Sequence, residues 1–362
     1  MHKILLSGYY GYNNAGDEAI LKSIIGNIKT IDESAKITVL SDNIEFSKAK
    51  YGINAVKRFN PFHLLSAIID CNILISGGGT LFQDKTSTRS LVYYTSVINT
   101  AKLLGKKVMI YANGIGPLRK PSNIKRVKRA IENADIITLR DKEALNAVLS
   151  MNIKGKEIYM TTDPVFSLKE NSVKVAENLL SNHSIYAGEN FVVVSVRSWD
   201  NDDEISGVFA KACDYINAKY GKKIVFLPLQ YPNDINAIEN VTKKMKKSCT
   251  IIKDITPQDM MSIIKKSSYV FAMRLHALIF AANVGTPMIS YSYDDKVENL
   301  MKQIKMPYNC NKNSASFEQI KSHIDEIEQN YDKIKAELVR NTMSVKDLAQ
   351  KNLDYMRKII ES

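Results

Sequence analysis

Cysteine is scarce in this chain of 362 residues: Cys71, Cys213, Cys249 and Cys310 stand far apart, with no C-x-x-C. Such spacing excludes a zinc ribbon, a redox dithiol and a disulfide scaffold, and fits isolated thiols in a reducing compartment. Histidine numbers five, and no His/Asp/Glu grouping has metal-ligand spacing, so neither a metal nor any other cofactor is expected. No apolar run approaches the ~18 residues of a membrane-spanning helix. The opening MHKILLSGYYG has an apolar run too short for a secretory signal and passes straight into a glycine-rich loop. A cytoplasmic protein is expected, with any membrane contact peripheral and at the inner face. The dinucleotide fingerprint G-x-G-x-x-G, the P-loop lysine and the G-x-S-x-G elbow are all missing, which removes support for NAD, ATP and serine-hydrolase chemistry.

What is present is apolar residues at 45% and a formal charge of +12. The length exceeds what one core usually supports, so two domains are expected. The charge suits an acidic partner, but no zinc-finger or RNA-binding signature accompanies the lysines, and nucleic acid is not expected.

Strand and helix patterns alternate in the rhythm of a parallel sheet. Strands are expected at residues 3–7, 36–40, 72–76, 107–112, 136–139 and 157–161, with helices at 18–29, 89–104, 122–133 and 142–151. Runs such as ILISGGG and VMIYANGIGP end in glycine, the form of strands buried on both faces. A second series of strands is expected at 191–196, 223–227, 250–253, 268–272 and 287–290, after a polar stretch with a helix at 173–181. The tail from about 317 reads as charged and helical. The expected fold is α/β and GT-B-like: two Rossmann-type domains with mostly parallel sheets facing a central cleft, residues 1–168 and 169–362, with terminal helices of the second domain free to pack back across the cleft.

Ligands of open α/β sheets gather beyond the carboxyl ends of the strands. There the chain places Gly8-Tyr9-Tyr10-Gly11-Tyr12-Asn13-Asn14-Ala15-Gly16-Asp17-Glu18, Gly77-Gly78-Gly79-Thr80, Gly114-Ile115-Gly116-Pro117 and Arg140-Asp141. In the second half it places Arg197, with Trp199 two residues on, then Gln230, then Met273-Arg274-Leu275-His276-Ala277, then Lys296. Arginine forks bind carboxylate and phosphate, and histidine moves protons near neutral pH. Arg140, Arg197, Arg274, His276 and Lys296 therefore suit a small anionic substrate. Leu275 is expected to turn toward the core. Alternatives stay open: a core histidine and a surface arginine at 274–276, Asp141 or Glu143 as partners of Arg140, a surface lysine at 296, Trp199 as plain packing, and Asp17 as a helix-start residue complementing the dipole.

Taken in order, the Gly8-to-Glu18 loop, Ser76-Gly77-Gly78-Gly79-Thr80-Leu81-Phe82-Gln83-Asp84, Gly114-Ile115-Gly116-Pro117, Leu139-Arg140-Asp141, Thr162-Asp163-Pro164 and Met273-Arg274-Leu275-His276-Ala277 resemble the polysaccharide pyruvyltransferases, closest to the bacterial CsaB type. The resemblance spans roughly residues 3–300. It implies transfer of pyruvyl from phosphoenolpyruvate to a sugar as a cyclic ketal. For the CsaB type it further implies a lipid-diphosphate-linked disaccharide acceptor with terminal N-acetylmannosamine, serving a secondary cell-wall polymer that anchors S-layer proteins. Phosphoenolpyruvate-binding residues then match Arg140, His276 and Lys296, with Arg274 in the same motif; Arg197 joins them from its strand-end position alone. The acceptor side is assigned to Gly8, Gly11, Asn13, Asn14, Gly16 and Asp17. On this reading phosphoenolpyruvate lies between the domains, His276 donates the proton and Asp17 is a candidate base. The rivals are a nucleotide-sugar glycosyltransferase, with Glu298 on the ribose, and a non-catalytic module binding anionic glycans.

Overall fold

The computed structural model describes residues 1–85, 87–199, 202–311 and 316–362. The chain divides into two compact units, Met1–Leu168 with Lys346–Ser362, and Lys169–Val345. In chain order the first unit runs β1 (Lys3–Tyr10), α1 (Ala15–Ile31), β2 (Lys36–Ser41), α2 (Ile44–Tyr51), β3 (Asn54–Lys57), α3 (Pro61–Asp70), β4 (Ile73–Gly77), α4 (Thr88–Leu103), β5 (Lys107–Asn113), α5 (Pro121–Asn133), β6 (Ile136–Leu139), α6 (Lys142–Leu149) and β7 (Ile158–Met160). The second has α7 (Val173–Ser181), β8 (Phe191–Ser195), α8 (Asp202–Tyr220), β9 (Lys223–Phe226), α9 (Ile235–Thr242), β10 (Thr250–Ile251), α10 (Pro257–Lys266), β11 (Val270–Ala272), α11 (Leu275–Val284), β12 (Met288–Ser292), α12 (Asp295–Gln303), β13 (Asn309–Asn311) and α13 (Phe317–Gln329). The last helix, α14 (Tyr331–Glu361), begins in the second unit and ends in the first.

All strand pairs are parallel. The orders are β3-β2-β1-β4-β5-β6-β7 and β10-β9-β8-β11-β12-β13. Strands β4, β8 and β12 are buried at every residue, which explains the largely apolar sequences of the central β4 and β8: helices cover both faces, and no position is left for water. Each order reverses direction once, between β1 and β4 in the first sheet and between β8 and β11 in the second. Loops after these strand pairs diverge to opposite faces and leave a crevice at the sheet's carboxyl edge.

Two features depart from the sequence expectation. The α2-β3-α3 stretch lacks a readable period: α2 buries only Ser47 and β3 only Ala55. The end of the chain, expected in the second domain, packs with the first unit. There the fully buried Asn352 donates from Nδ2 to the Thr162 carbonyl at 2.9 Å, and Tyr355 stacks on Tyr159 at 3.9 Å between centroids.

Candidate functional site

In the first unit both glycine loops fall at the switch point, after β1 and after β4. Asn14 caps α1, its Oδ1 accepting from the Gly16 and Asp17 amides at 3.1 and 3.4 Å. Glu18, fully buried, is structural: its carboxylate accepts the Gly11 amide at 3.0 Å and the Tyr51 hydroxyl. Gly78 has φ +67°, and a Cβ there would lie 2.0 Å from Ile20 Cγ2, so only glycine lets this loop rest on α1. A Cβ on Gly79 would meet Asp17 Oδ1 at 3.2 Å, which puts the Asp17 carboxylate between the two loops. Burial first, and then the charge of Asp17, raises the Tyr9 phenol above its ordinary 10, and burial pushes Tyr12 up to about 12. The two rings stack at 4.1 Å, and both phenols stay protonated at neutral pH.

Arg58 was not legible as a site residue. Its guanidinium is 2% exposed and donates to the Gly8 carbonyl at 3.1 Å and to Tyr94 Oη at 3.0 Å. The rings of Tyr12, Phe59, Tyr93 and Tyr94 surround it at 4.6–5.6 Å. Among the described residues no carboxylate pairs with it; cation–π attraction takes that place, and the result is a brace under the first loop.

Arg140, expected to hold an anion, is also a brace in the first unit. Its Nε pairs with Asp141 at 3.2 Å, Nη1 lies 3.6 Å from Asp163, and Nη2 donates to Thr80 Oγ1 at 3.2 Å. Asp141 caps α6 through the Ala144 amide, and Asp163 accepts from Val165. With two carboxylates already opposed to it, this cation ties the Thr80, Gly114 and Asp163 segments together. A Cβ on Gly114 would stand 3.0 Å from its Nη2.

In the second unit Arg197, Arg274, His276 and Lys296 follow β8, β11 and β12, neighbouring strands about 4.8 Å apart. Arg274 is the N-cap of α11 and gives its first turn no side-chain hydrogen bond. Its fork is bidentate on Asp234, with Nε on Oδ2 at 3.0 Å and Nη2 on Oδ1, and Nη2 also reaches Gln230 Oε1 at 3.2 Å. Asp234 is 1% exposed and accepts the Gln230 amide at 2.9 Å. Arg274 is therefore neutralised and braces the β9 loop to the β11 loop. Leu275, expected in the core, is only partly buried, and His276 occupies the first turn of α11.

Arg197 differs from both. Among the described residues no carboxylate pairs with it. Its Nη1 donates to Tyr293 Oη at 3.1 Å, and its guanidinium lies 5.0 Å from the Tyr293 ring and 5.3 Å from Trp199. Its Nε is buried and has no hydrogen-bond partner among the described residues. Lys296 stands in the first turn of α12, its amide donating to the capping Asp294 at 3.3 Å. Glu298, the carboxylate a nucleotide reading would place on a ribose, accepts from Asn311 Nδ2 and lies 3.9 Å from Lys302. Asp234, 40 residues from Arg274, and Tyr293, 96 from Arg197, carried no sequence signal; only the motif around Asp163 stood out beforehand.

Several solved structures share the fold. The Staphylococcus aureus MnaA–UDP structure has a TM-score of 0.69 at 11% identity, covering 100% of this chain and 97% of that one. A putative UDP-N-acetylglucosamine 2-epimerase from Listeria monocytogenes has 0.68 at 13%, covering 99% and 96%. Anabaena Alr3699/HepE in complex with UDP and glucose has 0.64 at 11%, covering 100% and 98%. At these identities the likeness establishes two Rossmann-like domains of GT-B type. In sequence, the amylovoran biosynthesis protein AmsJ of Erwinia amylovora is 20% identical over 420 residues, spanning 99% of this chain and all of that protein. The family model for polysaccharide pyruvyl transferase matches residues 14–295, from the cap of α1 to the start of α12; the chain belongs to the polysaccharide pyruvyl transferase family.

Proposed function

We infer that the chain moves a pyruvyl group from phosphoenolpyruvate to a lipid-linked saccharide during polysaccharide synthesis. The observation that carries the donor assignment is Arg197: a half-buried guanidinium with no carboxylate partner among the described residues, at the switch point, beside the helix starts that hold His276 and Lys296. Charge-assisted hydrogen bonds from Arg197 and Lys296 receive the phosphate and carboxylate. His276, as imidazolium, gives its proton to the methylene carbon, turning it into a methyl group and leaving the neighbouring carbon electrophilic. A sugar hydroxyl adds to that carbon and loses its proton to a base. The C–O bond to phosphate breaks, phosphate departs with the electron pair, and a second hydroxyl closes the ketal and releases its proton. General acid catalysis of this kind contributes about 10²–10⁴-fold.

The acceptor belongs to the first unit, where Asp17 and the protonated phenols of Tyr9 and Tyr12 offer an acceptor and donors to sugar hydroxyls. Arg140 and Arg274 we assign to holding loops, because their forks are taken by carboxylates. A terminal N-acetylmannosamine on a lipid diphosphate is the acceptor that the family resemblance favours. The test is phosphate release from phosphoenolpyruvate with a panel of lipid-linked or synthetic disaccharides. Release that requires the acceptor, and falls at least about 10²-fold in His276→Ala with its melting temperature unchanged, supports the reading. Full activity in that variant removes the proposed acid.

A further inference from the structure

Helix α3, sequence PFHLLSAIID, is apolar almost all round and yet lies at the surface. Its inner side is accounted for: Ile68 is in the core of the first unit, and Leu64 and Ala67 pack against it. Its outer side repeats apolar residues three and four apart, Phe62, Leu65 and Ile69, where a surface helix carries polar ones. Phe62 is 82% exposed, and Phe59, which precedes the helix, is 62% exposed. The stripe does not stop at the helix. Lys106 Nζ donates to the Ile69 carbonyl at 2.6 Å, which sets the turn after α4 against the end of α3, and Leu103, the last residue of α4, is 86% exposed. At the other end Phe59 meets Tyr93 of α4 at 5.3 Å.

Lysines frame the stripe: exposed Lys57 at its start and half-buried Lys106 at its end, with Lys102 paired to Asp135. The single carboxylate of α3, Asp70, is already paired with Lys3. A second copy of a chain with net charge +12 would set these lysines against one another. We propose that the stripe Phe59–Phe62–Leu65–Ile69–Leu103 inserts into the interface of an anionic membrane, with Lys57 and Lys106 on the lipid head groups. Apolar side chains of this kind settle at the boundary between head groups and acyl chains, and basic neighbours add attraction to anionic lipid. No helix among the described residues is long and apolar enough to cross a membrane, so the attachment is to one leaflet. The placement deepens the proposed function and in that respect rests on it: Phe59 lies 4.8 Å from the Arg58 guanidinium, which holds the Gly8 carbonyl of the acceptor-side loop. A saccharide borne on lipid would reach that loop with its lipid still in the bilayer.

The experiment is co-sedimentation of the full chain with vesicles of phosphatidylcholine plus phosphatidylglycerol, against phosphatidylcholine alone, at low and high salt. Because the vesicles contain neither donor nor acceptor, the result is independent of the transferase reading. Binding is expected only with the anionic lipid, weakened by salt, lowered about tenfold or more in Phe62→Ser/Ile69→Ser and about fivefold or more in Lys57→Glu. Melting temperature and phosphate release with a water-soluble acceptor should stay at wild-type values in these variants. Equal binding to both vesicle types, undiminished binding in Phe62→Ser/Ile69→Ser, or a dimer in sedimentation velocity that those substitutions dissolve would each overturn the proposal.

Discussion

Substituting Asp234 with Asn separates a brace from a binding residue. The carboxylate receives Arg274 Nε at 3.0 Å, a second bond from Nη2, and the Gln230 amide at 2.9 Å. Asn keeps the shape and removes the charge. The Arg274 side chain, only 12% exposed, is then left as a buried cation without its counter-ion, a loss of about 3–5 kcal/mol. For a unit of this size each kcal/mol moves the melting temperature by about 2–4 °C, so calorimetry should record a fall of about 6–20 °C. Replacing both partners, Asp234→Leu with Arg274→Met, should recover most of that loss, since a buried pair exchanged for apolar groups is close to neutral. A double-mutant cycle reads the coupling directly. A melting temperature unchanged in Asp234→Asn would mean that Arg274 does not depend on Asp234 and that its fork is available to an anion.

Arg197→Met should behave in the opposite way, raising the KM for phosphoenolpyruvate about 10–150-fold through the loss of one charged hydrogen-bond partner, while the melting temperature moves by a few degrees. Steady-state kinetics with saturating acceptor checks it. His323 supplies a pH dependence. Burial holds its pKa below the ordinary 6.5, against the smaller opposing pull of Glu326, and its Nε2 is buried without a hydrogen bond. The folded state therefore prefers the neutral ring. As pH falls below about 6.5 the unfolded chain takes up the proton first, and stability is lost until the folded value is passed. Urea titrations at pH 7 and pH 5 should show a smaller acid loss in His323→Leu than in the wild type; an equal loss would mean that His323 contributes nothing to it.

The central strands were readable because burial on both faces demands continuous apolar sequence, as in ILISG of β4 and FVVVS of β8. The glycine loops were readable because backbone packed as closely as Gly78 on Ile20 excludes any Cβ. What sequence could not reveal was pairing across long separations. Nothing at Arg274 announces Asp234, and nothing at Glu18 announces Tyr51, so a charge that looks free for a ligand and one that is consumed by the fold read alike. The stretch 44–70 failed for a different reason. Helix α2 buries one residue, and α3 is apolar on two faces, so neither shows the single-sided period by which surface helices are recognised.

On the proposed reading, pyruvyl reaches the sugar from phosphoenolpyruvate through protonation of the methylene carbon. The most direct measurement uses phosphoenolpyruvate labelled with carbon-13 at the carbon bearing the phosphate, in deuterium oxide, with NMR of the saccharide product. The expected product has a labelled ketal carbon on the saccharide and a methyl group carrying one deuterium, with one phosphate released for each ketal formed. Label recovered as free pyruvate, or absent from the saccharide while acceptor is consumed, would contradict it.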